Sequence, residues 1–146
     1  MPLVRYRIGD LSRFLPCAGR CSCGMPLRKI APIRGRVDHM LILGSGFNIY
    51  PDEFDHAILS VPGVSDYQIT VEKRDYLDVL SVAVETAQPD DGLDARVREA
   101  LKGIEYLRLC LEGRANVVFG EFKTVPPGTL SKDRRKTVRI VDKRVY

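Results

Sequence analysis

Residues 35–55 read GRVDHMLILGSGFNIYPDEFD and carry the clearest structural signals in the chain. Two short apolar runs, MLIL and FNIY, are separated by Gly44-Ser45-Gly46, a pattern that predicts a tight β-hairpin. Pro51 suits the first position of a helix, and the two acidic residues after it suit the positive end of a helix dipole. The stretch therefore predicts a hairpin followed directly by a helix, which Pro62-Gly63 ends.

Further strands are predicted beyond this helix. Residues 67–71 alternate apolar and polar side chains, which is typical of a half-buried strand, and residues 77–85 place a second apolar set on one face. A third strand is predicted in NVVF (116–119), and a final strand or extended tail in TVRIV (137–141). These segments supply a small sheet of three to four strands.

One long amphipathic helix is predicted between the second and third strands. Pro89 and the pair Asp90-Asp91 open it, and Gly113 closes it. Cys110 falls inside it and is expected to pack in the core. Its apolar stripe, near the 3.6-residue period, consists of Leu93, Val97, Ala100, Leu101, Ile104 and Leu107. The predicted class is α+β, with the small sheet, two helices on one of its faces and an N-terminal β-hairpin.

The first 37 residues differ from the rest. They have little periodicity and much turn chemistry, with short strands possible only in RYRI (5–8) and LRKIAPI (27–33). We expect residues 1–37 to be an irregular, partly β segment that ends a larger domain and reaches the hinge. Residues 38–146 are expected to form a compact, mobile α+β domain.

Composition limits the function. The chain has 146 residues, of which 45% are hydrophobic and 29% charged, with no apolar run long enough to cross a membrane and no apolar core of a signal peptide. A cytoplasmic protein that acts neither on membranes nor on nucleic acid is therefore expected. The net charge of +4 divides into +7 for residues 1–36, −8 for 37–131 and +5 for 132–146. An acidic middle with two basic ends does not suit a nucleic-acid binder, whose basic residues should form a stripe on the folded surface. The same distribution suits a site for one small anion at which the two basic ends meet.

Three of the four cysteines lie close together in PCAGRCSCG, at Cys17, Cys21 and Cys23. In a cytoplasmic chain such a cluster is either a metal site or a set of reduced thiols. The spacing supplies no fourth ligand and no nearby histidine, so a Zn²⁺ site would need a ligand from elsewhere.

Four segments, in order, carry a family resemblance. They are RYRIGD (5–10), CSCGMPLRKI (21–30), the hairpin stretch (35–55) and GTLSKDRRKTVRIVDKR (128–144). Together they resemble the C-terminal portion of adenylate-forming (AMP-binding) acyl-CoA ligases, in the phenylacetate–CoA ligase and coenzyme F390 synthetase branch. The resemblance spans essentially the whole chain but only about the last quarter of a family enzyme.

The resemblance implies a function. The parent enzyme would join a small carboxylic acid, such as the aryl acid phenylacetate, to ATP with Mg²⁺, releasing pyrophosphate. The small domain would then rotate so that the thiol of CoA displaces AMP and gives the acyl-CoA. The implied partner is an N-terminal adenylation domain, without which this chain is not expected to catalyse adenylation alone.

The resemblance also assigns residues to the nucleotide. Lys136 would be catalytic, bridging the carboxylate oxygen and the α-phosphate, a task that suits a compact charge on a long stem. Asp10 would accept hydrogen bonds from the ribose, and Arg36 would lie beside the nucleotide. Asp133-Arg134-Arg135 replaces a Ser-Glu-Gly run of the family, so Lys132 competes with Lys136 for the role.

The remaining assignments concern CoA, the hinge and a metal. Asp38 would be the hinge residue that absorbs the backbone change, or alternatively a simple turn aspartate. The loop that would approach the pantetheine arm of CoA consists of Gly44, Ser45, Gly46, Phe47 and Asn48. Cys21 and Cys23 resemble a cysteine pair that supplies metal ligands in some members of the branch. An alternative of another class is a non-catalytic α+β domain that senses a ligand or binds a partner, in which exposed sheet edges could support a homo-oligomer.

Overall fold

A mixed four-stranded sheet forms the centre of the computed structural model, which describes residues 8–16, 23–37, 40–44, 46–114, 116–131 and 137–145. The strand order is β7 (Val117–Val125), β6 (Leu77–Glu85), β5 (Asp66–Arg74) and β8 (Ile140–Asp142). The two central strands pair antiparallel, β8 lies parallel to β5, and β7 lies parallel to β6. The strands are β1 (Asp10–Leu11), β2 (Gly35–Arg36), β3 (Leu41–Leu43), β4 (Phe47–Ile49), β5 (Asp66–Arg74), β6 (Leu77–Glu85), β7 (Val117–Val125) and β8 (Ile140–Asp142); the helices are α1 (Pro51–Leu59), α2 (Leu93–Lys102) and α3 (Glu105–Leu109).

The alternating pattern of the two central strands is confirmed. Tyr67, Ile69 and Val71 are fully buried on one face of β5, and they lie opposite Val84, Val82 and Leu80 of β6. This shared face forms the core, together with the apolar sides of the helices. Because side chains on a strand alternate between faces, the same register sends the polar residues of β5 to the other side of the sheet.

The hairpin and the first helix also form as predicted. β3 pairs antiparallel with β4 across the Gly44–Gly46 turn. α1 begins at Pro51, and the Tyr50 N–H donates to Glu53 Oε2 at 2.8 Å, so one amide at the start of the helix is satisfied by a side chain of its first turn. Phe54 and Ile58 of α1 are fully buried in the core, and α1 packs against α2.

The prediction of one long helix up to Gly113 is wrong. α2 ends at Lys102. The amide of its cap residue, Gly103, donates back to the Ala100 carbonyl, and Ile104 then takes an extended conformation with φ −77° and ψ 109°. α3 follows as a short helix, and Cys110–Arg114 form a π-helical turn. Glycine has low helix propensity, and the break turns Ile104 and the residues after it back onto the core. The prediction that these apolar residues face the core is therefore confirmed, and the prediction that one continuous helix carries them is wrong.

The N-terminal segment adds only short pairings. β1 pairs antiparallel with β2, and Phe14 forms an isolated bridge with Ile30, so the strand expected in residues 27–33 is reduced to that bridge. RYRI lies almost wholly outside the described residues. Many large apolar side chains of this segment are exposed, namely Ile8, Phe14, Met25, Leu27, Ile30, Ile33 and Val37. Among the described residues there is no helix with the length and hydropathy to cross a membrane.

Candidate functional site

Two of the residues expected at the nucleotide lie side by side. Asp10 and Arg36 are partners in the β1–β2 ladder, although they are far apart in the sequence. Gly9, before the aspartate, has φ 80°, a conformation that favours glycine, and its carbonyl accepts the Val37 N–H at 2.9 Å. The carboxylate and the guanidinium are both exposed. The short ladder thus presents an acceptor for hydroxyl groups next to a permanent positive charge.

The turn expected to approach CoA is open to solvent. Gly44 and Gly46 both have positive φ, at 55° and 106°, and a Cβ on Gly46 would meet no atom within 4 Å. Asn48 is exposed, whereas Phe47 packs against the Tyr106 ring with centroids 5.6 Å apart. Ser45 lies outside the described residues. The turn therefore offers a ligand bare backbone and one amide side chain, on a hairpin that Phe47 attaches to α3.

A buried carboxylate, which the sequence pattern did not single out, holds this turn in place. Asp78 is 1% exposed, and its Oδ2 accepts the Gly44 N–H at 2.8 Å and Arg144 Nη1 at 3.1 Å. Its Oδ1 accepts from Lys73 Nζ at 3.1 Å. Burial alone raises the pKa of Asp78, but the Gly44 amide and the two cations outweigh it and lower the pKa below its ordinary value. One carboxylate thus joins the hairpin turn, the β5–β6 hairpin and the C-terminal tail.

A second carboxylate cluster lies directly after the predicted catalytic lysine. Lys132, Lys136 and the hinge candidate Asp38 are outside the described residues. The chain is described again from Thr137, whose hydroxyl donates to Asp66. Asp66 also accepts from Arg139 Nε at 3.1 Å. Burial raises the pKa of Asp66, and these hydrogen bonds lower it further than burial raises it, to below its ordinary value.

The same arginine ties this chain to α1. Arg139 Nη1 donates to Asp55 Oδ1 at 2.8 Å, and the buried Tyr67 hydroxyl donates to that oxygen at 2.6 Å. Burial and the bond to Asp55 raise the pKa of Tyr67. The cluster lines a cleft of about 660 Å³ beside the start of α1. The residues around the lysine segment are therefore attached to the body of the domain.

The cysteines show no metal centre in the described part of the chain. Cys21 lies outside it, and Cys23 is exposed. No group of three or more His, Cys, Asp or Glu side chains among the described residues could hold a metal ion. Cys110 is fully buried, as the packing prediction required, and burial followed by the charge of Asp78 raises the pKa of its thiol.

Acid is expected to destabilise this arrangement through Asp66 and Asp78. Because both pKa values are lowered in the folded chain, their stabilising contribution is complete above the unfolded-chain pKa of about 3.9 and disappears as the pH falls through the lower folded values. The urea midpoint should therefore decrease between about pH 5 and pH 3. In Asp78→Asn, which starts lower, the decrease should be smaller. A wild-type midpoint that is the same at pH 3 and pH 6 would contradict this.

Comparison with known proteins gives consistent matches. The AMP-binding enzyme C-terminal domain family matches residues 46–144. The phenylacetate-coenzyme A ligase of Pseudomonas putida is 31% identical over 99% of this chain and 31% of its own length. The enzyme of that name from Thermus thermophilus is 41% identical over 61% of this chain and 20% of its own. The chain thus spans about a fifth to a third of the length of these curated relatives.

A solved structure agrees with the observed architecture. It is a domain of phenylacetate-coenzyme A ligase from Bacteroides vulgatus, 31% identical to this chain, with a TM-score of 0.51. The superposition covers 74% of this chain and 95% of that domain. The α+β class predicted from the sequence is therefore confirmed, with its small sheet and hairpin. The described residues form three helices where two were expected, because the longer one is broken at Gly103.

Proposed function

Because the chain belongs to the AMP-binding enzyme C-terminal domain family, we propose that it is the small, mobile domain of an ATP-dependent, AMP-forming acid–CoA ligase. The observation that carries this is the similarity to the Pseudomonas putida phenylacetate-coenzyme A ligase over 99% of the chain, which includes the N-terminal segment as well as the α+β domain. The partner in the proposal is a large adenylation domain. The exposed apolar side chains between Ile8 and Val37 are the surface for it, because soluble proteins rarely expose so many large apolar groups without a contact to cover them.

The proposed reaction has two steps. First, the carboxylate of an aryl acid such as phenylacetate attacks the α-phosphorus of ATP, which carries Mg²⁺ as part of the substrate. The bond to the β-phosphate breaks, and the products are the acyl-adenylate and pyrophosphate. Second, the CoA thiol loses its proton and attacks the acyl carbon, and AMP leaves with the pair of electrons from the acyl–oxygen bond.

Each step has its own residues in this chain. In the first, Lys136 supplies positive charge where the carboxylate meets the α-phosphate, while Asp10 and Arg36 bind the ribose and the phosphate side of the nucleotide. The pairing of the last two in the β1–β2 ladder supports that division. In the second, the turn from Gly44 to Asn48 contacts the pantetheine arm. A backbone without side chains, such as the one at Gly46, permits close approach of a ligand. Asp38 is the proposed hinge between the two orientations.

The test is ATP–pyrophosphate exchange with the matching large domain supplied, either fused before Met1 or as a separate chain. We expect exchange that requires both parts and an aryl acid, and that needs no CoA. Addition of CoA should then give acyl-CoA and AMP in equal amounts. The large domain alone is the control for exchange that does not depend on this chain. If the large domain exchanges equally well without residues 1–146, the chain is not the adenylation partner, and a non-catalytic binding domain becomes the better reading.

A further inference from the structure

The turn of the β3–β4 hairpin has little of its own to hold it in position. Gly44 and Gly46 have no side chains, and both have positive φ, a conformation that glycine adopts freely. Below the turn the hairpin is firmly attached, since Leu43 and Ile49 are fully buried in the core. The position of the turn therefore depends on contacts that other elements make with Gly44 at its start and Phe47 near its end, both of which are within the described residues.

Asp78, the second residue of β6, holds the start of the turn. Its carboxylate is buried, and Oδ2 accepts the Gly44 N–H at 2.8 Å. Hydrogen bonds to an ionised acceptor are shorter and stronger than neutral ones. The carboxylate is itself held by two cations, Lys73 Nζ at 3.1 Å from Oδ1 and Arg144 Nη1 at 3.1 Å from Oδ2. The acceptor of the Gly44 amide thus has a defined position, set by β5 and the C-terminal tail.

Tyr106 of α3 holds the other end of the turn. Its ring lies against the ring of Phe47, with centroids 5.6 Å apart and planes inclined by 31°. Aromatic pairs at this spacing attract one another beyond the effect of the area that they bury. The next residue of α3, Leu107, is fully buried, so the helix that carries the tyrosine is attached to the core. Phe47 is therefore held by a ring from outside the hairpin.

The two contacts meet where the strands of the hairpin enter the turn. Leu43, which directly precedes Gly44, is the ladder partner of Phe47. The carboxylate and the tyrosine ring therefore act on the two strands at the same level of the ladder. On the outer face of the hairpin, Ile42 and Asn48 are ladder partners and both are exposed. This arrangement fixes the turn and leaves its backbone and one face of the hairpin open to a ligand.

We propose that Asp78 and Tyr106 are positioning residues for the second step of the reaction, and that they hold the turn where its backbone receives the pantetheine arm of CoA. The inference rests on the proposed function for the role of the turn, whereas the two contacts with the turn are independent of it. In the first step the nucleotide contacts belong to other residues, Asp10 and Arg36. Loss of either positioning residue is therefore expected to slow thioester formation and to leave acyl-adenylate formation unchanged.

The contacts are tested by nuclear magnetic resonance on the chain of 146 residues. In Asp78→Asn we expect the Gly44 amide proton to move upfield, because a neutral acceptor polarises the N–H bond less than a carboxylate does. Asp90→Asn, which changes an aspartate of an exposed ion pair, should leave that resonance in place. In Tyr106→Ala the ring protons of Phe47 should shift, whereas in Tyr106→Phe, which keeps the aromatic ring, they should stay at their wild-type positions. An unmoved Gly44 resonance in Asp78→Asn, or unmoved Phe47 resonances in Tyr106→Ala, overturns the proposal for that residue.

The positioning role is tested in the protein completed by its large domain, with the two steps measured separately. Release of AMP from bound acyl-adenylate on addition of CoA should be about tenfold slower in Asp78→Asn and Tyr106→Ala, since small displacements from the reactive geometry have effects of this size. ATP–pyrophosphate exchange should stay at the wild-type rate in both variants. Tyr106→Phe is the matched control and should equal the wild type in both steps.

The outcomes separate positioning from stability. A merely structural role would lower both steps by the same factor, and that result, or unchanged AMP release, overturns the positioning role. If the wild type itself shows no exchange, or forms no acyl-CoA, the proposed function fails. The two contacts are then still decided by the resonance experiment, so the two failures are distinguishable.

Discussion

Lys136→Ala is expected to lower the rate of ATP–pyrophosphate exchange by about 100- to 1,000-fold in the protein completed by its large domain. The physical reason is that the first step brings two anions together, and one fixed positive charge directed at that point in a water-poor site has an effect of this size. The loss should appear in the rate constant of the step, because the charge is needed most where negative charge accumulates in the transition state. The measurement is exchange at saturating ATP and acid.

Two controls make this result specific to adenylation. Thioester formation from preformed acyl-adenylate and CoA should proceed at the wild-type rate in Lys136→Ala. In that step the thiol attacks the acyl carbon, so no positive charge is needed where a carboxylate attacks the α-phosphorus. Lys132→Ala, four residues earlier in the same segment, should exchange like the wild type. If the two variants behave in the opposite way, the catalytic lysine is Lys132, and the replacement of the Ser-Glu-Gly run by Asp133-Arg134-Arg135 has moved the function along the chain.

Asp78→Ala is expected to reduce the free energy of unfolding by about 3 kcal/mol. The change removes the acceptor of the Gly44 amide and one partner of Arg144, whose side chain is only 5% exposed. Removal of one member of a buried ion pair is costly because the other charge stays out of water. The Arg144 bond to Asp142 remains and keeps the expected loss at the lower end for such changes. Urea unfolding followed by circular dichroism measures it.

Asp90→Ala is the matched control for this prediction. It also removes an aspartate paired with an arginine, Arg96, at 2.7 Å, but both side chains are about half exposed. Exposed pairs of this kind contribute less than about 1 kcal/mol. A similar loss in the two variants would show that the position of Asp78 has no special weight. Asp78→Asn should lie between them, since the amide keeps an acceptor for Gly44 but loses the charge.

The parts of the fold that the sequence predicted are those with local causes. The β3–β4 turn, the start of α1 at Pro51 and the alternation of β5 and β6 each depend on neighbouring residues. β7 was predicted as four residues but runs from Val117 to Val125, because Gly120 interrupts the apolar pattern. That glycine lies where the register with β6 shifts, and a Cβ there would come within 2.4 Å of Ser81 Oγ. Such a cause is tertiary and leaves no local pattern.

The candidate site divides in the same way. The candidate residues were assigned only because family motifs surround them in the sequence. The spacing of Asp10 and Arg36 did not predict that a β-ladder pairs them. Asp78 and Glu85 stand in an apolar strand as ordinary polar interruptions. Two of the partners of Asp78, Gly44 and Arg144, are 34 and 66 residues away. The amides of Gly128 and Leu130, which Glu85 accepts, are 43 and 45 residues away. Hydrogen bonds over such separations depend on the finished topology. Sequence reasoning therefore proposed candidate residues from motifs and missed the buried carboxylates whose partners lie far away in the chain.

The late position of β8 has a consequence for how the domain assembles. The β3–β4 and β5–β6 hairpins join near neighbours and can form early, whereas β8 must find β5 across about 70 residues, as the bond between Thr137 and Asp66 shows. Non-local pairings of this kind carry the larger entropic cost and form last. β8 is thus expected to be among the last elements of the sheet to pair. A domain in which β8 has not yet paired would lack the bonds from Thr137 and Arg139 to Asp66, so this cluster is expected to be complete only at the end of folding.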